Sequence, residues 1–317
     1  MNSDLKTKLR LSLIAGVQKG WTGFVWMLKI LVPVSFLSVL LEYSGVLYQL
    51  NALLKPVMGV LSLPPIAALP IVIGIVTNIY GGIASMVMLP FTMDQMTLIA
   101  IFLLISHNMI QEGIIQAKSG MHPLKATVIR LAASTVTVMA SAYFMDVGLA
   151  ADATSSAVAP PTLPLATVLG NWLLATAYLS VKIFCIIMVL MIVLSTMKNF
   201  HLIGYLTRAL NPFLRALGLN QRVGTLWLTA AVFGIAYGAA VILEEAREGN
   251  LTKNELERLH MSIGINHSMV EDPALFMVLG ISAFWLWVPR LITAIVAVHL
   301  FGLWIRIRER RGRRVIP

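Results

Sequence analysis

The sequence predicts an all-α polytopic membrane protein built from two inverted-topology repeats, and three observations support this fold class. Of the 317 residues, 58% are hydrophobic and 12% are charged, whereas a soluble domain carries about 25% charged residues. Several apolar runs reach the roughly 20 residues that a helix needs to cross a bilayer. These runs are 21–41, 66–89, 126–145, 168–197, 223–243 and 283–305. In addition, a polar motif occurs twice at a constant offset.

The repeated motif reads SHNMIQE at 106–112 and NHSMVED at 266–272, so that His107 and His267 are 160 residues apart. The same offset relates Arg130 to Arg290 further along the chain. Ionisable groups inside a membrane are costly and mark binding sites in many transporters. A two-fold binding site, with one half from each copy, is therefore the leading interpretation.

Each copy has the same order of features. A long apolar run with one lysine comes first, then a short amphipathic piece with a proline, a span with small residues, the polar motif and a last span with the arginine. The paired features are Lys29 and Lys182; 53–63 and 209–219, with Pro56 and Pro212; and Tyr80-Gly81-Gly82 and Tyr237-Gly238-Ala239. We expect a basic amphipathic N-terminal segment at 1–20, the first repeat at 21–145, a linker at 146–167, the second repeat at 168–305 and a basic tail at 306–317.

The basic residues predict the topology. Lysines and arginines gather in the N-terminal segment, at 118–125, at 198–222 and in the tail, whereas 146–167 has none. Basic segments next to spans stay in the cytoplasm. Both termini are thus expected in the cytoplasm of a bacterial inner membrane and the linker outside. Each repeat then has an odd number of crossings, three, beside an interfacial helix.

One apolar segment per repeat must therefore enter and leave on the same side. We expect this re-entrant hairpin at 98–118 and 258–281, broken at Gly113 and Pro273, with arms of about ten residues or roughly 15 Å. Glycine weakens a helix, and proline removes a backbone donor. Thr92 with Gln95 and Thr252 with Glu255 fit the capping box at each start. The alternative is that these segments cross fully and another span is the broken one.

The candidate substrate-binding residues are those in and around the polar motifs. They are His107, Asn108, Gln111, Glu112, Asn266, His267, Ser268, Glu271, Asp272, Arg130, Arg290, Lys29 and Lys182. The four basic groups outnumber the three acidic ones, which favours a polar or anionic organic solute. The alternative is a divalent metal such as Fe²⁺, held by His107, Glu112, His267, Glu271 and Asp272. The same side chains can instead bond one another and fix helix packing.

Other function classes have little support. No metalloprotease, nucleophile-elbow, phosphate-loop or dinucleotide motif is present, so an enzyme is not expected and no cofactor is predicted. The net charge of +10 lies beside spans, where it contacts anionic lipid rather than nucleic acid. H⁺ or Na⁺ would then be the coupling ion. A homo-oligomer is left open.

The glycine steps from Gly74 to Gly82 and from Gly234 to Gly238, each followed by a polar segment such as NHSMVEDP, resemble the Gate or nucleoside recognition family of bacterial membrane proteins. That family includes spore maturation proteins A and B. Related units form the membrane part of ferrous-iron transporter B and of concentrative nucleoside transporters. The resemblance covers about 21–305. It implies an inverted-repeat transporter fold with the site at the hairpin tips.

The leading functional hypothesis is a secondary transporter for a small polar or anionic organic solute, including nucleoside-like ones. The alternatives are a divalent-metal transporter that uses the same cluster and a membrane scaffold that assembles other proteins without transport.

Overall fold

The computed structural model describes residues 2–49, 51–147, 163–200, 202–219, 223–234, 238, 241–245, 248 and 251–313, in which all regular structure is helical. Most of the predicted linker at 146–167, as well as Tyr237 and Ala239, lies outside these residues. The chain is an all-α polytopic membrane protein: within the described part, five helices are long and apolar enough to cross a bilayer. They are Leu5–Tyr43, Met93–Lys118, Pro123–Phe144, Leu165–Asn199 and Ala283–Ile307.

The described helices divide between the two halves of the chain. The first half contains α1 (Asn2–Tyr43), α2 (Val46–Gln49), α3 (Asn51–Val60), a 3₁₀ turn (Pro65–Ala67), α4 (Ala68–Val76), α5 (Ile79–Val87), α6 (Met93–Ser106), α7 (Met109–Lys118) and α8 (Pro123–Phe144). The second contains α9 (Leu165–Asn199), α10 (Leu202–Ala209), α11 (Asn211–Ala216), α12 (Gly224–Phe233), α13 (Lys253–Asn266), α14 (Glu271–Met277) and α15 (Ala283–Arg313). The segment predicted at 1–20 is continuous with the first span, because α1 runs through it without a break.

Four helices form the centre of the molecule. α6, α8, α13 and α15 all pack against one another, and the side chains at 97–106 on α6 and 259–266 on α13 are buried. α6 is apolar on every side, and a helix of this kind has to be surrounded by other helices. Between α8 and α15, the hydroxyls of Thr137 and Thr293 share a 2.7 Å hydrogen bond. The polar motifs therefore lie where the two halves meet.

The long helices α1 and α9 pack side by side next to this centre. Their approach is close, because a Cβ atom at Gly16 would lie 2.5 Å from the Cα atom of Ile192. Small residues permit such contact between helices in membranes. Farther along the pair, Trp172 donates its indole hydrogen to the hydroxyl of Ser35.

The chain reverses direction between α4 and α5. A Cβ atom at Gly82 would lie 3.5 Å from the Cα atom of Gly74, whereas residues eight apart in a continuous helix are about 12 Å apart. Asn78 starts the returning arm, since its side chain accepts a hydrogen bond from the Gly81 amide. In the second half, a Cβ atom at Gly238 would lie 2.7 Å from the Cα atom of Ala230. Segments 66–89 and 223–243, predicted as crossing helices, thus contain the reversals.

The breaks predicted at Gly113 and Pro273 are wrong, because both residues lie inside helices, α7 and α14. Pro273 is in the first turn of α14, where a missing amide hydrogen removes no helical bond. α6 and α7 together form one candidate span of 26 residues, interrupted at His107 and Asn108. The alternative, in which this segment crosses and another is the folded-back one, agrees with these helices.

Both predicted capping boxes are confirmed. The Thr92 hydroxyl accepts from the Gln95 amide, and the Gln95 side chain accepts from the Thr92 amide. Thr252 and Glu255 make the same reciprocal pair at the start of α13. The two motif-bearing helices therefore begin alike, and each motif histidine follows its capping threonine by the same number of residues.

Candidate functional site

Each polar motif lies at a break between two helices. α6 ends at Ser106, His107 is extended, and Asn108 is left-handed with φ 52°. α13 ends at the fully buried Asn266, His267 is extended, and Ser268 has φ 46°. Left-handed residues other than glycine are uncommon and tolerated best by polar residues such as asparagine. The two breaks have the same backbone conformation.

Arg130 and Arg290 hold the two breaks in the same way. The Arg130 guanidinium donates to the carbonyl oxygens of Ile105 and His107 at 2.7 and 2.8 Å. The Arg290 guanidinium donates to the equivalent carbonyls of Ile265 and His267 at 3.1 and 2.8 Å. These carbonyls have lost their helical partners at the breaks, and a planar guanidinium can serve two of them at once. Both arginines, on α8 and α15, are buried.

The two histidines face each other across the centre. The Nε2 atoms of His107 and His267 are 3.4 Å apart, and both side chains are buried. Each Nδ1 atom lies near the carbonyl oxygen four residues earlier, at 2.8 Å from Leu103 and at 3.1 Å from Ile263. Since a carbonyl oxygen only accepts, each Nδ1 carries the hydrogen. In the neutral rings both Nε2 atoms therefore present lone pairs to the centre.

Two carboxylates approach these nitrogens. Glu112 places Oε1 3.2 Å from Nε2 of His267 and 3.5 Å from Nε2 of His107, while its Oε2 lies 2.6 Å from the Arg130 guanidinium. Asp272 places Oδ2 3.5 Å from Nε2 of His107. It is one methylene shorter than Glu112 and, among the described ion pairs, makes none with Arg290. The duplicated site is thus asymmetric.

Of the remaining predicted residues, Glu271 and Gln111 lie close to the central cluster, and the two lysines lie away from it. Glu271, next to Asp272, is half-buried and accepts a hydrogen bond from the Tyr80 hydroxyl at 2.6 Å. Its counterpart Gln111 is exposed and accepts a hydrogen bond from the Asn108 amide. Both lie beside the centre and not in it.

Lys29 and Lys182, predicted as site residues, do not join the cluster. The Lys29 side chain is exposed on α1, and the Lys182 ammonium lies 4.4 Å from the ring centre of Tyr178 on α9. A long flexible side chain can reach away from the core even when its backbone lies mid-span. Without the lysines, Glu112 and Asp272 share the centre with two guanidinium groups, so the basic excess expected from the sequence is lost.

Three contacts were missed because their partners are far apart in sequence. The first is the hydrogen bond from the Tyr80 hydroxyl to Glu271; in the sequence, Tyr80 stands out only for its neighbouring glycines. Trp287 donates its indole hydrogen to the Met269 carbonyl at 2.8 Å and steadies the second break. The buried His260 ring contacts the Ser119 carbonyl. His260 lies near the start of the buried part of α13, between Leu259 and Met261.

The three atoms Nε2 of His107, Nε2 of His267 and Oε1 of Glu112 form a nearly equilateral triangle with edges of 3.4, 3.2 and 3.5 Å. A tetrahedral metal with bonds of about 2.1 Å has ligand–ligand edges of about 3.4 Å. Metal-binding histidines also commonly donate their other ring hydrogen to a backbone carbonyl, as both do here. The arrangement therefore fits a tetrahedral cation with three protein ligands.

An open groove lies along the exposed face of α7. It has a volume of about 440 Å³ and runs along α7 below the α4–α5 turn. Its polar lining residues are Thr77, Asn108, Gln111 and Lys118. Asn108 and Gln111 are the sequence neighbours of His107 and Glu112. The groove is thus lined by the sequence neighbours of two of the three triangle residues, while the triangle itself lies outside its lining.

Comparison with known proteins supports the membrane class alone. No protein-family model matches the chain, and no solved structure matches it. A relative from Bacillus subtilis (strain 168), described as "Uncharacterized membrane protein YvoD", is 28% identical over 291 residues, which cover 90% of each chain. The resemblance to the Gate family receives no support from these comparisons. The fold and the relative together define a multi-pass membrane protein.

Proposed function

We propose that the protein carries a divalent first-row transition-metal ion across the membrane, with His107, His267 and Glu112 as its ligands. The triangle of lone-pair-bearing atoms carries this proposal. Two imidazoles and one carboxylate suit Zn²⁺, Fe²⁺ or Co²⁺ better than Ca²⁺ or Mg²⁺, which prefer oxygen ligands. Convergence of three acceptor atoms within a buried centre is electrostatically unfavourable until a cation lies between them.

The position of the lysines changes the balance between the two transport hypotheses. A bare cation gains nothing from four positive neighbours, but Lys29 and Lys182 are directed away from the centre. Two nitrogens of each remaining guanidinium, on Arg130 and Arg290, donate to backbone carbonyls. Since Glu112 also pairs with Arg130 and the two lysines lie elsewhere, a divalent ion is accommodated more readily than the sequence indicated.

The topology supports transport. In the proposed arrangement the two halves are inverted repeats, and the α4–α5 reversal and its counterpart near Gly234 are the re-entrant hairpins. Each half then has three crossings: for the first, α1, α6 with α7, and α8. This arrangement keeps 118–125 in the cytoplasm and the linker outside, as the basic residues require. Inverted repeats with a site at broken helices are a common transporter design.

Metal binding by the purified protein tests the proposal. Isothermal titration with Co²⁺, Zn²⁺ and Mn²⁺ is expected to show one site, and the Co²⁺ complex is expected to have the visible spectrum of a tetrahedral ion. Ca²⁺ and Mg²⁺ serve as the comparison ions and are expected not to compete.

Transport is tested in proteoliposomes that contain a metal-sensitive dye. Wild-type protein is expected to admit Co²⁺, whereas Glu112→Gln, which keeps the side-chain size, is expected to abolish both binding and entry. A protein that binds none of these metals refutes the proposal. In that case a protonated histidine donating to Glu112 explains the same geometry.

A polar organic solute is a second candidate, and the groove along α7 favours it. Binding pockets for small molecules usually occupy about 300–1,000 Å³, and the groove has about 440 Å³. Its amide, hydroxyl and ammonium groups suit a nucleoside or an organic acid. Uptake of labelled compounds of these two classes, lost in Asn108→Ala with Gln111→Ala, would support this candidate. The scaffold hypothesis gains no specific support from the described residues.

A further inference from the structure

One hydrogen bond joins the two halves next to the metal triangle. The Tyr80 hydroxyl, at the start of α5, donates to Glu271 Oε1 at 2.6 Å, at the start of α14. The Tyr80 ring is buried and stands edge-on to Trp26, with ring centres 6.1 Å apart. A hydroxyl donating to a carboxylate makes a strong hydrogen bond. This contact links α5 of the first half to α14 of the second.

The backbone around Glu271 is anchored, so its side chain can move alone. The Met269 amide donates to the Ala231 carbonyl at 2.6 Å, and the Met269 carbonyl accepts from Trp287. The next residue along the chain, Asp272, contacts Nε2 of His107. Glu271 is therefore a carboxylate one residue away from a side chain that contacts the metal triangle, and Tyr80 is its hydrogen-bond partner in this structure.

The equivalent position in the first half has the opposite character. Gln111 is neutral, exposed and part of the open groove, whereas Glu271 is acidic, half-buried and held by Tyr80. The two positions are 160 residues apart and flank the same centre. The position on the first-half side is thus neutral and open, and the one on the second-half side is acidic and held by a hydrogen bond.

We propose that Glu271 is a further cation ligand, the transfer site on the α14 side of the metal triangle, and that Tyr80 is the latch that holds it out of use. The inference rests on the proposed function. In the transport cycle, the cation reaches the triangle through one approach. It is exchanged through the other approach when the Glu271 side chain rotates away from Tyr80. The groove beside Gln111 is the approach that is open in this structure.

Metal flux and metal binding separate this role from that of the triangle. Glu271→Gln is expected to slow Co²⁺ entry into proteoliposomes about tenfold while the equilibrium affinity stays within about threefold, because the three ligands of the triangle remain. Tyr80→Phe keeps the ring against Trp26 and is expected to raise the entry rate about fivefold, the equivalent of one lost hydrogen bond. Tyr178→Phe, at an exposed tyrosine on α9, is the matched control and is expected to leave the rate unchanged. Flux of wild-type size in Glu271→Gln, or slower flux in Tyr80→Phe, would overturn the assignment.

Thiol labelling tests the latch without any metal, so failure here is distinct from failure of the proposed function. In a Cys185→Ser background, Ala274→Cys places a thiol one turn after Glu271, and Gln111→Cys places one in the groove. A water-soluble maleimide is expected to label the groove position quickly and position 274 slowly. Adding Tyr80→Phe is expected to accelerate labelling at 274 about fivefold, again one hydrogen bond, without changing the groove position. Equal labelling at 274 with and without the Tyr80 hydroxyl would show that Tyr80 is no latch.

Discussion

His107 and His267 approach each other to 3.4 Å between their Nε2 atoms, although each ring has committed its Nδ1 hydrogen to a backbone carbonyl. Two lone pairs therefore face each other, and Glu112 Oε1 adds a third acceptor. Structural histidines usually satisfy both nitrogens with protein partners of complementary character. The need for a cation between these atoms connects the broken helices to the proposed function.

His107→Gln and His267→Gln are each expected to weaken Co²⁺ binding by at least about a hundredfold, because removal of a ligand exceeds the tenfold to hundredfold effect of losing an outer partner. The two losses should be of similar size, since both rings have the same geometry. Isothermal titration of the purified variants measures them.

His299→Gln is the matched control for the histidine variants. The His299 ring contacts the carbonyl of Ile295 four residues earlier at 2.8 Å, as the site histidines do, but it is exposed on α15. The Co²⁺ affinity of the His299→Gln variant is expected to equal that of the wild type. Loss of binding in this variant, or strong binding in either site variant, would contradict the assignment of ligands.

Lys29→Gln and Lys182→Gln are expected to leave the Co²⁺ affinity within about twofold of wild type. Charges on the outer surface of a helix, beyond roughly 8–10 Å and facing solvent or lipid headgroups, act weakly on a buried site. The double variant, measured by the same titration, shows the combined effect of the two lysines on the Co²⁺ affinity. A gain in affinity of tenfold or more would show that the lysines act on the site after all.

The sequence was sufficient for the class of fold and for most of the central residues. A constant offset of 160 residues and the low charge identified His107, Glu112, Arg130 and their counterparts, because a polar group in an apolar span has few alternatives to a partner. The capping boxes were readable for a similar reason: the motif is local and its partner is three residues away.

The sequence was insufficient wherever the answer depended on distant partners. Gly113 indicated a break, yet the backbone breaks at Asn108, where the Arg130 guanidinium and the Gly74 carbonyl supply the hydrogen bonds that the helix has lost. Likewise, nothing local shows that Lys29 is directed outward or that Tyr80 reaches Glu271. Alternative local backbone conformations differ in free energy by only about 1 kcal/mol per residue, so tertiary contacts decide which one forms.

Gly238→Ala is expected to destabilise the protein, because the new methyl group would lie 2.7 Å from the Cα atom of Ala230 and 3.0 Å from its nitrogen. Backbone atoms cannot rotate aside, so the two arms must separate at a cost of about 1–3 kcal/mol. Thermal unfolding in detergent, followed by the fluorescence of the seven tryptophans, measures the loss.

Gly170→Ala provides the opposite case for the same substitution. Gly170 lies in α9, and a Cβ atom there would meet no neighbour within 4 Å. Alanine in a helix is favoured over glycine by about 0.5–1 kcal/mol, so the unfolding temperature should rise slightly. If both variants unfold alike, the close contact between the two arms has no energetic consequence.

The two arginines are expected to differ in their contribution to stability despite their shared contacts. Arg130→Met leaves Glu112 buried without its 2.6 Å ion pair, and loss of one partner of a buried pair costs about 3–5 kcal/mol. Arg290→Met removes the hydrogen bonds to two carbonyls, at about 1–3 kcal/mol for each group left unsatisfied, but breaks no ion pair of the same kind.

Double-mutant cycles separate these effects. Adding Glu112→Gln to Arg130→Met should restore much of the lost unfolding temperature, because it removes the unpaired charge, whereas adding Asp272→Asn to Arg290→Met should restore little. Equal restoration in both cycles would mean that Asp272 depends on Arg290 as strongly as Glu112 depends on Arg130, and the two halves of the site would then be energetically symmetric.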